Sequence, residues 1–201
     1  PKGCNISAIL PDVLRSGSRY TEFRKFVASS FKAKAEIWGR FNRKTDVDVF
    51  LLSGVTSASK NEILWHSLNS DTESISDYFD VRIGPLVAYR DPEEGQEYPY
   101  FYPKICPKWE RISEVIEKRK FSGTALLPPF IVIKRTSSPS DRHRASATLI
   151  SLKEPVVVEN HMIVVTPKDG KIGTCKKLMR VLQSHKTNSF LNERIRLRHL
   201  T

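Results

Sequence analysis

Cysteine is scarce in this sequence. Cys4, Cys106 and Cys175 are an odd number, set far apart and in no Cys-x-x-Cys arrangement. That spacing argues against a disulfide framework and against a zinc site, and it suits a reducing compartment. The five histidines are scattered, with no His-Glu-x-x-His or similar ligand spacing. No apolar run is long enough to span a bilayer, and no signal peptide is evident, so the expected setting is cytoplasmic. The chain opens on Pro1 without Met, and strand-like residues begin almost at once. It reads as an excised piece.

Charge is what the sequence has in excess. The 201 residues carry a net charge of +11, unevenly spread. Residues 1–74 hold 11 Lys/Arg against 8 Asp/Glu, residues 75–103 hold 2 against 6, and residues 104–201 hold 20 against 8. A basic C-terminal half is the electrostatic footprint of a polyanion partner, most simply nucleic acid. An anionic membrane fits less well, because the basic residues lie among strands and Pro-rich loops and not on one amphipathic helix. The competing reading is a merely basic soluble domain.

The periodicity divides the chain. Cys4–Leu10 is a buried-strand pattern ending at Pro11-Asp12. A helix over about Tyr20–Phe31 follows, with Tyr20, Phe23, Val27 and Phe31 on one face. Strands are expected at Ala35–Trp38 and Val47–Leu52, joined through Arg40–Thr45. Asp46 and Asp48 alternate with valines there, but no third ligand accompanies them, so an exposed strand entry is preferred to a metal site. Ser53–Glu73 is polar and reads as a connector. Beyond it, Ile75–Gly84 gives a helical turn and a strand, Tyr89–Tyr102 an acidic loop, and Ile112–Lys120 a short charged helix.

The most patterned stretch is Leu126–Pro167. It predicts strands at Phe130–Lys134, Ala147–Leu152 and Val156–Val165, with Pro and Ser marking the gaps. Lys134 and Arg135 end the first strand, Arg142, His143 and Arg144 sit in the turn, and Asn160 and His161 interrupt the third strand. Strands that hold up an Arg-rich loop beside Asn and His suit contact with phosphates and base edges. A solvated hairpin with a charged tip is the plainer alternative, and Asn160 and His161 could equally pair beneath the loop. Two helical segments close the chain, about Thr174–Ser184, with Thr174 as N-cap and Leu178, Met179, Val181 and Leu182 packed, and a second from near Thr187. Arg194, Arg196 and Arg198 do not share a helical face, so the basic tail is expected to leave the helix and run extended, meeting phosphates or solvent.

Several stretches, in a consistent order, resemble one family. They are Ile9-Leu-Pro-Asp-Val-Leu-Arg-Ser-Gly-Ser-Arg-Tyr20, Phe41-x-x-x-Thr45-x-Val-Asp-Val-Phe-Leu-Leu52 and Phe79-Asp-Val-x-Ile-Gly-Pro85. Pro128-Pro-Phe-Ile-Val-Ile-Lys-Arg-Thr-Ser137 follows with Asp141-Arg-His-Arg144, then Pro155-Val-Val-Val-Glu-Asn-His161 and Leu191-Asn-Glu-Arg-Ile-Arg-x-Arg-His-Leu-Thr201. The chain resembles the C-terminal half of adenine-N6 DNA methyltransferases of bacterial restriction–modification systems. The resemblance implies a mixed α/β chain in three parts. Residues 1–52 would be the trailing β-α-β-β part of a Rossmann-like catalytic sheet, 53–74 a connector, and 75–201 an α+β domain that reads double-stranded DNA. A restriction endonuclease of the same system is an implied companion.

The same resemblance sets out what the piece lacks. Methyl transfer to adenine N6 in this family uses an Asn-Pro-Pro-Tyr/Phe loop on a flipped base. Leu127-Pro128-Pro129-Phe130 mimics it, but leucine accepts no hydrogen bond and the segment runs into a strand. Gly170-x-x-Gly173 is not a cofactor loop, since no acidic residue follows a second strand. The expectation is therefore a recognition piece without catalytic or cofactor residues of its own, from a parent that uses S-adenosylmethionine. Its DNA candidates are Lys134, Arg135, Arg142, His143, Arg144, Asn160, His161, Arg194, Arg196 and Arg198. Two other readings stay open: a stand-alone DNA specificity subunit, and part of a fused endonuclease–methyltransferase. Against the nuclease, no Pro-Asp is followed at suitable spacing by Asp/Glu-x-Lys.

Overall fold

The computed structural model describes residues 3–16, 18–57, 63–66 and 73–200. It is a mixed α/β chain with two compact units. Unit 1 takes in Pro1–Ser70 together with Ser138–Ser140 and Ser189–Arg198, and unit 2 holds the remainder.

Unit 1 begins with β1 (Asn5–Pro11), a turn of helix α1 (Val13–Ser16), a 3-10 turn at Ser18–Tyr20 and α2 (Thr21–Ser30). Two longer strands follow, β2 (Phe31–Arg40) and β3 (Asp48–Thr56). The sheet order is β1-β3-β2, and β3 is antiparallel to both neighbours, so β1 and β2 run the same way. The alternation of small and large apolar residues explains the layering. Leu10, Ala33, Ala35, Phe50 and Leu52 share the face that α2 covers with Phe23 and Val27. Gly39 supplies the positive φ of 96° at the bulge of β2, which an L side chain would resist. β3 continues four residues past the expected Leu52, because Val55 and Thr56 still find ladder partners at Asn5, Lys32 and Phe31. Much of the expected connector lies outside the described residues. Within it, Ile63 is buried and the Trp65 ring packs 6.3 Å from Phe23 and 6.2 Å from Phe50.

Unit 2 begins with α3 (Ile75–Tyr78), where Ser74 and Asp77 form a reciprocal capping box, and β4 (Phe79–Ile83). Its remaining strands are β5 (Gln96–Phe101), β6 (Arg111–Ile112), β7 (Lys118–Phe121), β8 (Phe130–Lys134), β9 (Ala147–Ile150), β10 (Val157–Val158) and β11 (Met162–Pro167). Its helix is α4 (Ile172–Gln183), and α5 (His185–Arg194) starts in unit 2 but belongs to unit 1 from Ser189 onward. Five strands form one sheet in the order β4-β11-β8-β9-β6, and three form another in the order β10-β5-β7. Alternate residues of the five-stranded sheet, including Phe130, Val132, Ile150, Met162 and Val164, enter a core with Phe101, Cys106 and Val158. The opposite face takes α4, whose Cys175, Leu178 and Leu182 are buried.

Several expectations are corrected. The third central strand is two strands in two sheets: β10 pairs with β5, and β11 pairs with β8 and β4. Glu159-Asn160-His161 is the turn between them, tight enough that a Cβ on Gly84 would lie 2.1 Å from the Glu159 carbonyl oxygen. The acidic loop contains β5, with Tyr100 and Phe101 buried. The charged helix expected at Ile112–Lys120 is replaced by β6 and β7. Pairing with β5 overrides the helix propensity of Glu, Lys and Arg, and Lys118–Phe121 shows the strand alternation. Thr174 does not cap α4. Lys171 holds that position, and Thr174 Oγ1 donates to Asp169 Oδ2 at 2.7 Å. Val181, expected in the core, is exposed.

Candidate nucleic-acid interface

The strand registers decide which basic residues meet in unit 2. Lys134 ends β8 opposite Met162, and the next pair along is Arg135 with His161, joined by a 3.0 Å bond from the Arg135 N–H to the His161 carbonyl. β9 begins beside this end, with the Lys134 N–H on the Ser146 carbonyl at 3.1 Å. One end of the sheet therefore gathers Lys134, Arg135, His143, Arg144, Asn160 and His161.

These side chains differ in what they can do. Arg142 is exposed, on the turn itself. Arg144 is 1% exposed; its Nε donates to Ser137 Oγ at 3.3 Å and its backbone N–H to Asn188 Oδ1 at 2.9 Å. It holds the loop from inside. Asn188 also donates from Nδ2 to the Asp141 carbonyl at 3.3 Å, so one amide spans the turn that carries Arg142 and His143. The His143 ring meets Trp109 edge-on at 5.4 Å. His161 faces Glu159 Oε1 at 3.4 Å. Lys134 lies close enough to Cys106 to oppose, weakly, the burial that pushes that thiol up to about 12.

Three buried polar atoms at this end have no hydrogen-bond partner among the described residues: Arg135 Nε, His143 Nδ1 and Asn160 Oδ1. Buried polar atoms are nearly always paired, with protein or with ordered water. Sequence reasoning missed Trp109, which adopts φ +68°, a conformation rare for a bulky residue, and is pinned by its N–H on the Ala147 carbonyl at 2.7 Å. Pro107-Lys108-Trp109 carries no pattern that would have signalled it.

Unit 1 holds the other three candidates. α5 ends at Arg194 and the tail leaves the helix there, as its arginine spacing predicts. The Arg194 guanidinium lies over the Phe190 ring at 4.7 Å. Arg196 Nε donates to Asp48 Oδ2 at 2.7 Å, its backbone N–H reaches Asp12 Oδ2 at 3.4 Å, and Arg198 pairs with Asp46. These groups line a cleft of about 430 Å³ with Arg40. Asp46 and Asp48 thus face guanidinium groups, and among the described residues no three His, Cys, Asp or Glu side chains gather as a metal site.

Beneath this tail lies a buried ion cluster. Arg15, 1% exposed, donates to Asp12 Oδ1 at 2.9 Å, to the Trp65 carbonyl at 2.8 Å and to the Glu193 carbonyl, and its Nη1 lies 3.1 Å from His66 Nδ1. Burial, then the Arg15 and Arg194 charges, lower the His66 pKa to about 4, so its ring is neutral at pH 7 and free to accept from Arg15.

Among the described residues no helix is long and apolar enough to cross a membrane. No family model matches this chain, and no curated protein matches it either.

Proposed function

We propose that unit 2 reads duplex DNA sequence for a site-specific adenine-N6 DNA methyltransferase of a bacterial restriction–modification system, and that the strands of unit 1 close the Rossmann-like catalytic sheet of that enzyme. The observation that carries the reading is the end of the five-stranded sheet, where cationic, imidazole and amide side chains converge and three of them hold buried polar atoms with no hydrogen-bond partner among the described residues. Base edges present donors and acceptors that suit amide and guanidinium groups. Arg142, exposed on a turn braced by Asn188, is the residue placed to enter a groove, with Lys134 and Arg135 at its base. Arg144 acts as a positioning residue.

Unit 1 supports the second half of the reading. β1 and β2 run parallel, connected through α2, which is a β-α-β crossover, the building block of Rossmann-like sheets. β3 is intercalated between them. S-adenosylmethionine would supply the methyl group in the parent enzyme. In this chain Leu127-Pro128-Pro129-Phe130 leads into β8, and Gly170 forms the turn before α4.

The test is selection from a random duplex DNA pool at two salt concentrations, with sequencing of the bound fraction. The expected result is an enriched motif that persists at the higher salt and is blurred at one position by Arg142→Ala, a loss of roughly 1–3 kcal/mol in discrimination. Binding without sequence preference that collapses as salt rises would refute base reading and leave phosphate contact alone.

A further inference from the structure

We propose that β4 is a self-complementary edge through which two copies of this chain join as an isologous dimer. The proposal rests on unit 2 alone and is independent of the DNA reading. Among the described residues β4 is the outermost strand of its sheet, paired with β11 on one side and with no strand on the other. The direction of its backbone groups follows from two bonds. The Gly84 N–H donates to the Met162 carbonyl, and the Arg135 N–H donates to the His161 carbonyl. With Ile83 opposite Ile163 and Met162 opposite Lys134, the even-numbered residues of β4 turn their backbone groups toward β11. Phe79, Val81 and Ile83 turn theirs outward. α3 closes the Phe79 N–H onto the Ile75 carbonyl, which leaves the N–H groups of Val81 and Ile83 and three carbonyls along the open edge.

An open edge of this kind is an invitation to pair, and proteins usually blunt it with lysine, proline or a bulge. β4 has no lysine, proline or bulge, and its two charges, Asp80 and Arg82, are of opposite sign. Val81 is 51% exposed and Ile83 is also exposed, on the face that α4 covers further in. Ile75, Tyr78 and Val181 are exposed too, and line a cleft with Phe79 and Leu178. Asp80 and Arg82, on the other face, make no ion pair among the described residues.

The charges select the partner and the register. Outward backbone groups sit on odd residues, so an antiparallel pairing of β4 with its own copy can centre on Asp80, Val81 or Arg82. Centring on Asp80 puts carboxylate against carboxylate, and centring on Arg82 puts guanidinium against guanidinium. Centring on Val81 places Asp80 opposite Arg82 of the second copy, twice, by symmetry. Those two pairs then fall at the non-hydrogen-bonded sites, where facing side chains lie closest. Val81 bonds Val81 in both directions, and each Ile83 N–H meets the Phe79 carbonyl of the other copy. The apolar strip of Val81 and Ile83 becomes continuous across the two-fold axis.

Sedimentation velocity over a range of protein concentrations tests this. The wild-type chain is expected to show a reversible monomer–dimer equilibrium. Arg82→Asp and Asp80→Arg each put like charges opposite one another at both sites, and each is expected to weaken the dimer by about tenfold or more. The double variant Asp80→Arg/Arg82→Asp re-creates both pairs with their signs exchanged and is expected to return the dissociation constant to within about threefold of wild type. Both positions are exposed, and urea midpoints matching wild type would verify folding. A chain that stays monomeric at every concentration overturns the proposal. So does a dimer indifferent to the single changes, or a double variant as weak as the singles. Association of wild type only with a foreign extended peptide would assign the edge to another partner and overturn it equally.

Discussion

Asp46 and Asp48 pair with Arg198 and Arg196, and replacing both with Asn tests whether the tail arginines serve DNA in the proposed function. The two pairs are unequal. Asp48 and Arg196 are 14% and 23% exposed and bonded at 2.7 Å, a charge-assisted contact worth about 1.5–3 kcal/mol. Asp46 and Arg198 are both more than half exposed, and such a pair contributes about 0.2–1 kcal/mol. Asp46→Asn therefore frees a guanidinium at little cost in stability, whereas Asp48→Asn lowers the urea midpoint measurably. Each arginine that moves to a phosphate adds about 0.9 to the magnitude of the slope of log K against log salt concentration. The double variant is expected to steepen that slope by about 1.8, and Asp46→Asn alone by about half as much. The assay is fluorescence anisotropy of a labelled duplex over a salt series. Net charge alone also changes, so Glu22→Gln/Glu36→Gln is the control; those carboxylates pair with Lys25 and Lys34 on exposed parts of unit 1. A slope unchanged in the double variant, or moved as far by the control, would refute the tail as a phosphate contact.

Three further outcomes follow from burial and charge. Arg144→Ala removes a 1%-exposed guanidinium and is expected to destabilise the protein by about 2–4 kcal/mol in urea unfolding, while Arg142→Ala leaves the midpoint within about 0.5 kcal/mol and weakens DNA binding. Asp12→Ala leaves Arg15 buried with its charge partly unmatched and should cost about 3–5 kcal/mol, most of which Arg15→Met/Asp12→Ala should recover. His66, with its pKa lowered to about 4, binds its proton more readily in the unfolded chain, so stability is full near neutrality and falls as pH drops from about 6.5 toward 4, then levels off. Discounted for its partial exposure, the loss is about 1–2 kcal/mol, and His66→Gln should remove that part of the pH dependence in thermal melts.

Local pattern made much of this fold legible. The strand at Phe130–Lys134 and the α4 face of Leu178 and Leu182 follow from period and punctuation, whereas the helix expected to run to Phe31 stops at Ser30 because Phe31, in β2, already pairs with Thr56. Non-local pairing was hidden. Lys118–Phe121 is a strand because β5 lies beside it, and Val156–Val165 breaks in two because its halves belong to different sheets. The basic end of the sheet was visible as a list of residues but not as a division of labour. Burial separates Arg144 from Arg142, two residues apart, and nothing in Asp141-Arg142-His143-Arg144 distinguishes them. The pairing of Arg196 with Asp48 joins positions 148 residues apart. Alternating aspartates and alternating arginines were each seen alone, and only the fold shows that they answer one another.

The Arg15 cluster also governs when unit 1 can be completed during synthesis. Its acceptors include Glu193, and the unit takes in residues up to Arg198. At ribosomal rates of 5–20 residues per second, roughly 6 to 26 s pass between the emergence of Ser70 and that of Arg198. Throughout that interval Arg15 is without its Glu193 contacts, although the three strands and α2 already have one another to pack on. A chain ending before residue 189 should therefore keep the strands of unit 1 but hold Arg15 and Asp12 less firmly, with amide exchange around α1 faster than in the full chain.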